Sequence, residues 1–428
     1  MTPAFIIGLF LALFLLEFVV EFVLNEANLA YVRRRAAEGG IPEFFAAVIS
    51  REDYQKSVDY TAAKGRFQRW AALYDGAVTL WILLGGVLPA LDGVARTFGG
   101  NFSAGLHATG IIFCLGVGLI LSLLSLPTDL YSTFVLEERF GFNKTTPGLY
   151  IADRLKGLAL ALVIGAPFLF GVFWLMDAAG RYWWFWVFLF ITAFQLLMVV
   201  LFPSLIAPLF NKFAPLKDGE LKRRILEMAD QIGFKTGGIF TMDGSRRSAH
   251  SNAYFTGLGK TKRIVLFDTL AEQMTTDQSV AVLAHEMGHY KMKHIRRMLA
   301  LRSVFLLAGL YIFSLLIDYA PLFTAFGFSR ASHHAALVLA SLLAGPATFY
   351  LHPWINRVSR KHEYEADRFA ARALKDFQPM EEALIKLTIK NLSNLTPHPW
   401  YSAYHYSHPT PAERIGALRK ESLQGERG

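Results

Sequence analysis

The chain has 428 residues and a single cysteine, Cys114. An intramolecular disulfide is therefore impossible, and a thiolate metal cluster or a Cys-X-X-Cys redox pair is excluded as well. Any metal must be held by imidazole and carboxylate ligands. Charge is scarce too: 18% of the residues are Asp, Glu, Lys or Arg, against about 25% in ordinary soluble domains. There is no internal repeat and no low-complexity tract. The first apolar run lacks a basic leader, is too long for a signal-peptide core and has no small-residue cleavage site after it. It is expected to remain as a membrane span.

What the chain has instead is apolar sequence, 53% of it, gathered into long runs. Seven runs stand out, at 4–24, 70–92, 107–126, 157–176, 183–205, 299–317 and 335–354. Each is about the 20 residues that a bilayer-spanning helix needs. Helices buried in a large soluble core are the competing explanation, and seven such runs in one chain argue against it. The net charge of +9 invites a nucleic-acid reading, but its placement does not support one. Leaving aside Lys156 and Arg302, which lie at or inside span ends, Lys and Arg between successive runs number 8, 1, 3, 1, 15, 1 and, in the tail, 12. This alternation is that of the positive-inside rule for seven spans, with the amino terminus outside or lumenal and the tail cytoplasmic. The basic charge records topology, and no nucleic-acid partner is expected. Glu17 and Glu21 lie four apart on one face of the first span. Carboxyls in hydrocarbon are costly, so they either face a polar interior or reach out to water at the membrane boundary.

Two segments are long and polar enough to fold outside the membrane, 206–298 and 355–428. The expected organisation is a five-span membrane region over 1–205, the first part of a cytoplasmic domain over 206–298, a two-span hairpin over 299–354 and the second part of the same domain over 355–428. Gly219 to Ile232 has helical periodicity and Gly233 suits its end. Ile239–Met242, Ala249–Phe255 and Arg263–Phe267 read as strands, the last two joined by a turn at Gly257-Leu258-Gly259-Lys260. A helix capped by Thr275 or Thr276 follows and runs almost directly into the sixth span.

That helix carries His285-Glu286-Met287-Gly288-His289. Residues four apart share a helix face, so both imidazoles can meet one zinc ion, with Glu286 placed to activate a metal-bound water. A zinc peptidase needs a third protein ligand. No His-x-x-Gly-x-x-His extension follows, so that ligand must come from another element. His362-Glu363-Tyr364-Glu365-Ala366-Asp367 is the best candidate stretch, with Glu363 and Asp367 on one face and Glu365 roughly opposite. Spacing does not choose among Glu363, His362 and Glu365, and for this cluster taken alone a solvated charged helix face is the simpler explanation.

Further stretches extend the pattern over nearly the whole chain: Glu137-Glu138-Arg139-Phe140-Gly141-Phe142-Asn143, Pro208-Leu209-Phe210-Asn211-Lys212-Phe213, Asn252-Ala253-Tyr254-Phe255-x-Gly257 and Tyr406-Ser407-His408-Pro409-Thr410. With the His-Glu-x-x-His and Glu363–Asp367 stretches they resemble, in order, the type 1 CAAX prenyl endopeptidase family. The resemblance implies a mainly α, polytopic membrane protein: seven transmembrane helices around an internal chamber, with a split cytoplasmic α+β, gluzincin-like zinc peptidase domain. It implies one zinc ion per chain with Glu363 as the third ligand and Asp367 as the carboxylate orienting a ligand. It implies that Asn252, Ala253, Tyr254 and Phe255 form a strand edge for an extended peptide. His405 resembles the family's substrate- or oxyanion-contacting histidine, although a surface histidine in a polar loop fits the residues equally. His398, His408 and Tyr406 carry weaker signals.

The expected activity is hydrolysis of peptide bonds in membrane-associated substrates, with Glu286 as general base and acid. By resemblance, a C-terminal tripeptide is removed from a peptide or protein whose C-terminal cysteine is lipid-modified. Peptide substrate and membrane lipid are the expected partners, in a bacterial inner membrane or an endoplasmic reticulum membrane. Two alternatives compete: an HtpX-like quality-control protease of membrane proteins, and a non-catalytic scaffold or transporter with a vestigial zinc site.

Overall fold

A computed structural model describes residues 1–102, 105–234, 236–257 and 262–425. The molecule is mainly helical. Among the described residues, six helices are long and apolar enough to cross a membrane: Pro3–Ala37, Gly105–Glu137, Pro147–Ala178, Gly180–Phe210, His294–Leu316 and His333–Leu374. A seventh results if Arg51–Leu84 and Val87–Gly99, bent by 57°, are taken as one span. Gly86 lies at the bend with φ +74°, a left-handed conformation that costs glycine nothing because it has no Cβ. Each of the seven apolar runs falls on one of these helices or on the bent pair.

The helices outrun the bilayer. Pro3–Ala37 has 35 residues, about 50 Å of helix, against a hydrocarbon core of about 30 Å. Their inner faces share a core that includes Phe10, Ile82, Leu88, Phe113 and Phe323. Large apolar side chains on the outer faces, Val163 and Trp186 among them, are exposed, as a lipid-facing surface requires.

The last two spans matter most for the site. Helix Thr276–Lys291 ends at Met292, and Lys293, with φ +62°, turns the chain into His294–Leu316. The chain returns through His333–Thr348 and a single tight turn at Phe349–Leu351, then continues as His352–Leu374. Pro346 and Pro353 flank that turn, and each lacks the N–H that an unbroken helix would use. Helices Thr276–Lys291 and His352–Leu374 are thus direct continuations of the hairpin's two arms. Thr275 begins the first with a capping box: its hydroxyl accepts from the Gln278 N–H at 3.3 Å, and the Gln278 side chain accepts from the Thr275 N–H at 3.1 Å. Two otherwise unpaired donors of the first turn are satisfied in this way.

Beside these helices lies a four-stranded sheet of β1 (Phe213–Pro215), β2 (Ile239–Met242), β3 (Ala253–Thr256) and β4 (Arg263–Phe267), in the order β1-β2-β4-β3. β2 and β4 are parallel, and the two outer pairs are antiparallel. Helix Glu220–Ile232 ends at Gly233 in the left-handed conformation, as its periodicity predicts. The strand expected over 249–255 is shorter, beginning only at Ala253. Its first half turns away instead: Ser248 bridges Asn143, and the Ala249 N–H donates to the Phe142 carbonyl at 3.0 Å. The turn expected at Gly257-Leu258-Gly259-Lys260 lies, beyond Gly257, outside the described residues.

Residues from both polar segments share one core, in which Leu283 and Met287 pack with Ala370 and Ala383. A third cluster joins this unit to the connection between the first two long helices and to the start of the second, with Phe45, Tyr54 and Val58 packed against Ala281, Leu384 and Ile415. Phe45 is fully buried. Phe45→Ala should cost about 3–5 kcal/mol through the cavity it leaves. The expected result is a clearly lowered denaturation midpoint of the detergent-solubilised protein; an unchanged midpoint would show that this contact does not hold the two parts together.

Candidate metal centre and active site

The motif helix Thr276–Lys291 and helix His352–Leu374 lie in close contact, and small residues permit it. A Cβ added to Gly288 would come within 3.2 Å of the Ala366 backbone and 3.1 Å of the Phe369 ring. A side chain at this position would require the Ala366 backbone and the Phe369 ring to give by a few tenths of an ångström.

At that crossing His285, His289 and Glu363 offer ligand atoms that all lie within 4.8 Å of one another. The two imidazole Nε2 atoms are 3.2 Å apart. Glu363 Oε2 is 3.4 Å from His285 Nε2, and Oε1 is 3.2 Å from His289 Nε2. His285 and Glu363 are buried. Glu363 Oε2 is a buried acceptor with no hydrogen bond of good geometry, although nitrogens of His285, His408 and Arg414 lie 2.7–3.7 Å away. Two imidazole nitrogens and a carboxylate oxygen form a donor set that suits zinc and leaves a fourth position for water. The residues fit a metal ion.

The surroundings are polarised toward that point. His285 Nδ1 lies 2.8 Å from Asp367 Oδ1. Arg414 grips the same Asp367 with two hydrogen bonds of 2.8 and 2.6 Å and stands 3.7 Å from Glu363. Burial and the Arg414 charge push the His285 imidazole down, but hydrogen bonds to Asp367 and Glu363 outweigh them and hold its pKa up at about 9. A cation entering the site must displace that proton. Glu286 is half-buried, and its charge acts on Arg414.

Of the three residues that spacing left open, Glu363 faces the histidines. Glu365 turns the other way, as its helical phase requires, and meets His294 at 2.9 Å. His362 stacks on the His294 ring, centroids 4.1 Å apart. Asn252 precedes β3, accepts from the Ala253 N–H at 2.8 Å, and lines a cavity of about 830 Å³ that also contacts His250, Asn391, His405, His408 and Arg414. Ala253 is buried while Tyr254 and Phe255 are half-buried. β3 pairs on one side with β4 and ends the sheet on the other.

His405 lies on the cavity wall but does not reach the cluster. Its Nε2 is 3.4 Å from Glu21 Oε2, and burial, with a smaller push from His352, lowers its pKa to about 4. Glu21 lines a pocket together with Asn25, Gln68 and His405. His408, a weaker signal in the sequence, is the histidine at the centre, with Nδ1 2.7 Å from Glu363 Oε2.

Arg414 lies outside the motifs described above, yet a local signal places it. Thr410-Pro411-Ala412-Glu413 is a capping box with proline at the first helical position: Glu413 accepts from the Thr410 N–H at 2.7 Å, and Thr410 accepts from the Glu413 N–H at 3.2 Å. It starts helix Pro411–Gly425 and so places Arg414 in the first turn. Which charge Arg414 meets is set by tertiary packing and has no local signature.

A family model for the amino-terminal region of CAAX prenyl proteases, five membrane helices, matches residues 31–212, and one for peptidase family M48 matches residues 215–422. CAAX prenyl protease 1 of Saccharomyces cerevisiae is 38% identical over 423 residues, spanning 92% of this chain and 92% of that protein. The homologue from Arabidopsis thaliana is 38% identical over 399 residues, 89% of this chain and 91% of its own length. The human homologue is 32% identical over 421 residues, 89% of this chain and 88% of its own. The crystal structure of S. mikatae Ste24p has a TM-score of 0.88 at 36% identity, covering 95% of this chain and 97% of that one.

Removing Arg414 would leave the buried Asp367 carboxylate without its bidentate partner. Arg414→Ala is expected to destabilise the protein by about 3–5 kcal/mol, read as a lowered unfolding midpoint of the metal-free protein. Arg414→Lys keeps the charge without the fork and should fall between the two. Equal midpoints for all three proteins would contradict this account of the pair.

Proposed function

Because the chain belongs to the CAAX prenyl protease 1 family of M48 peptidases, and is thereby a membrane-integral zinc endopeptidase, we propose that it removes the C-terminal tripeptide from proteins with a lipid-modified cysteine near the chain end. One observation carries this reading. The metal donors lie on two helices that continue directly from a membrane hairpin. A lipid-anchored peptide end is delivered at that level, whereas a soluble substrate would gain nothing from it.

In this reading one zinc ion per chain is held by His285, His289 and Glu363, with Asp367 orienting His285. When bound, zinc supplies Lewis acidity, lowering the pKa of a water and polarising the scissile carbonyl. Glu286 takes the proton from the attacking water and delivers it to the leaving amine. The oxyanion-contacting role that the resemblance assigned to His405 passes to His408, which stands against Glu363. His405 remains on the cavity wall. The free edge of β3, with Asn252, Ala253, Tyr254 and Phe255, offers main-chain groups to an extended peptide. Its position at the end of the sheet supports that role.

The proposed topology takes the bent pair as the seventh span. Charge alternation then supports an outside or lumenal amino terminus and a cytoplasmic peptidase domain. That domain is built from 206–298 and 355–428, with 1–205 and the hairpin 299–354 in the membrane. The shared core of the two polar segments supports the division. The cavity of about 830 Å³ belongs to the chamber that receives the peptide. Membrane lipid is the other partner, in a bacterial inner membrane or the endoplasmic reticulum. An intact donor set argues against a vestigial scaffold.

Glu286→Gln removes the proton carrier and leaves the ligands in place. Hydrolysis of a prenylated peptide should fall by about 10²–10⁴-fold with zinc content unchanged; retained cleavage would end the proposal. Since His285 holds a proton up to about pH 9, zinc uptake should release it. Affinity should therefore fall about tenfold for each pH unit below that value. A zinc affinity independent of pH between 6 and 8 would contradict the assignment of His285.

A further inference from the structure

His289 has a ring nitrogen pointing away from the candidate metal, and its environment differs from that of His285. His285 meets a carboxylate directly, Asp367 at 2.8 Å. His289 Nδ1 meets another imidazole, His294 Nδ1, at 3.0 Å. His294 Nε2 in turn lies 2.9 Å from Glu365 Oε2. His294 is 2% exposed, and His362 is stacked flat on it, with 12° between the planes.

The direction of this chain follows from its last member. A carboxylate can only accept, so the proton of neutral His294 sits on Nε2. His294 Nδ1 is then a bare lone pair, which accepts the N–H of His289 Nδ1. With its proton on Nδ1, His289 presents a bare Nε2 toward His285 and Glu363. Arg297 at 3.7 Å and Lys361 at 3.9 Å already pair the Glu365 carboxylate, so it does not require an imidazolium to balance it.

The contact depends on the helix break. In an unbroken helix, His294 would lie about 140° round the axis from His289, at 100° per residue. Lys293, with its positive φ, turns the first residue of the sixth span back under the motif helix. The arrangement is therefore absent from a simple helical projection of the sequence.

We propose that His294 and Glu365 are positioning residues for metal binding, forming a two-membered relay that fixes the tautomer and ring orientation of His289, with His362 holding the His294 ring in plane. The inference rests on the metallopeptidase reading above. Each metal histidine then has its own orienting arm: Asp367 with Arg414 for His285, and His294 with Glu365 for His289. The second arm ties the metal site to the start of a membrane-crossing helix.

The test uses the full-length protein in detergent, with zinc affinity read by competition against a chromophoric chelator. His294→Ala and Glu365→Ala should each weaken zinc binding by about 10–100-fold. The double variant should be no weaker than the worse single one, because the two residues act in series. His294→Asn keeps an acceptor where Nδ1 stood and should recover most of the affinity. In peptide cleavage at saturating zinc, kcat should fall while KM stays within about twofold. Melting of the zinc-free proteins separates affinity from folding, and Glu365→Ala carries the comparison if His294→Ala fails to fold. Zinc affinity of the single variants within twofold of wild type, or additive losses in the double variant, would overturn the relay alone. A wild-type protein that binds no zinc would overturn the metallopeptidase reading with it.

Discussion

Two helices that emerge from a membrane hairpin must approach closely enough for His285, His289 and Glu363 to meet at one point, and the rest of the structure serves that approach. Gly288 against Ala366 sets the spacing of the backbones. The packing of Leu283 and Met287 with Ala370 and Ala383 holds it. Burying Glu363 and Asp367 beside one another is unfavourable unless cations and N–H groups surround them. Arg414, delivered by a separately capped carboxy-terminal helix, meets that need. The metal site is thus assembled from three helices far apart in sequence, two of them anchored in the hairpin.

The same constraint explains why the membrane region does more than anchor the domain. The Glu137–Asn143 stretch reaches the peptidase through the Asn143–Ser248 bridge and the stacking of Phe142 on His250, centroids 3.9 Å apart. Glu137 accepts from the Tyr60 hydroxyl at 2.7 Å, linking the second long helix to this clasp. The cavity beside the site is accordingly walled by both parts: Lys64 and Gln68 from the membrane-side helix, Asn252 and His408 from the peptidase. A peptide bound there would touch both.

Much of this architecture is legible in the sequence because its signals are local or periodic. The apolar runs mark the helices, Gly233 marks a helix end, and Thr275 with Gln278 marks the start of the motif helix. The two histidines share a face through simple helical spacing. What spacing left open was settled by tertiary contact. Glu363 rather than His362 or Glu365 faces the histidines because of how two helices cross. His408 rather than His405 reaches Glu363 because a short helix, Pro399–His405, ends between them. The strand beginning at Ala249 lost its first half to a competing backbone partner in the membrane region, which no period-2 pattern reveals. His294 was hidden for a related reason, since only the left-handed Lys293 brings it to His289.

The account stands or falls on what the metal-loaded protein does to a lipid-modified chain end. The most direct measurement is mass spectrometry of the products formed from a C-terminally prenylated peptide by the purified protein in lipid vesicles, with and without zinc. The account predicts a single cut that releases the last three residues beyond the modified cysteine, lost on chelation and restored by zinc. Cleavage that persists without metal, or cuts scattered along the peptide regardless of the lipid, would contradict it.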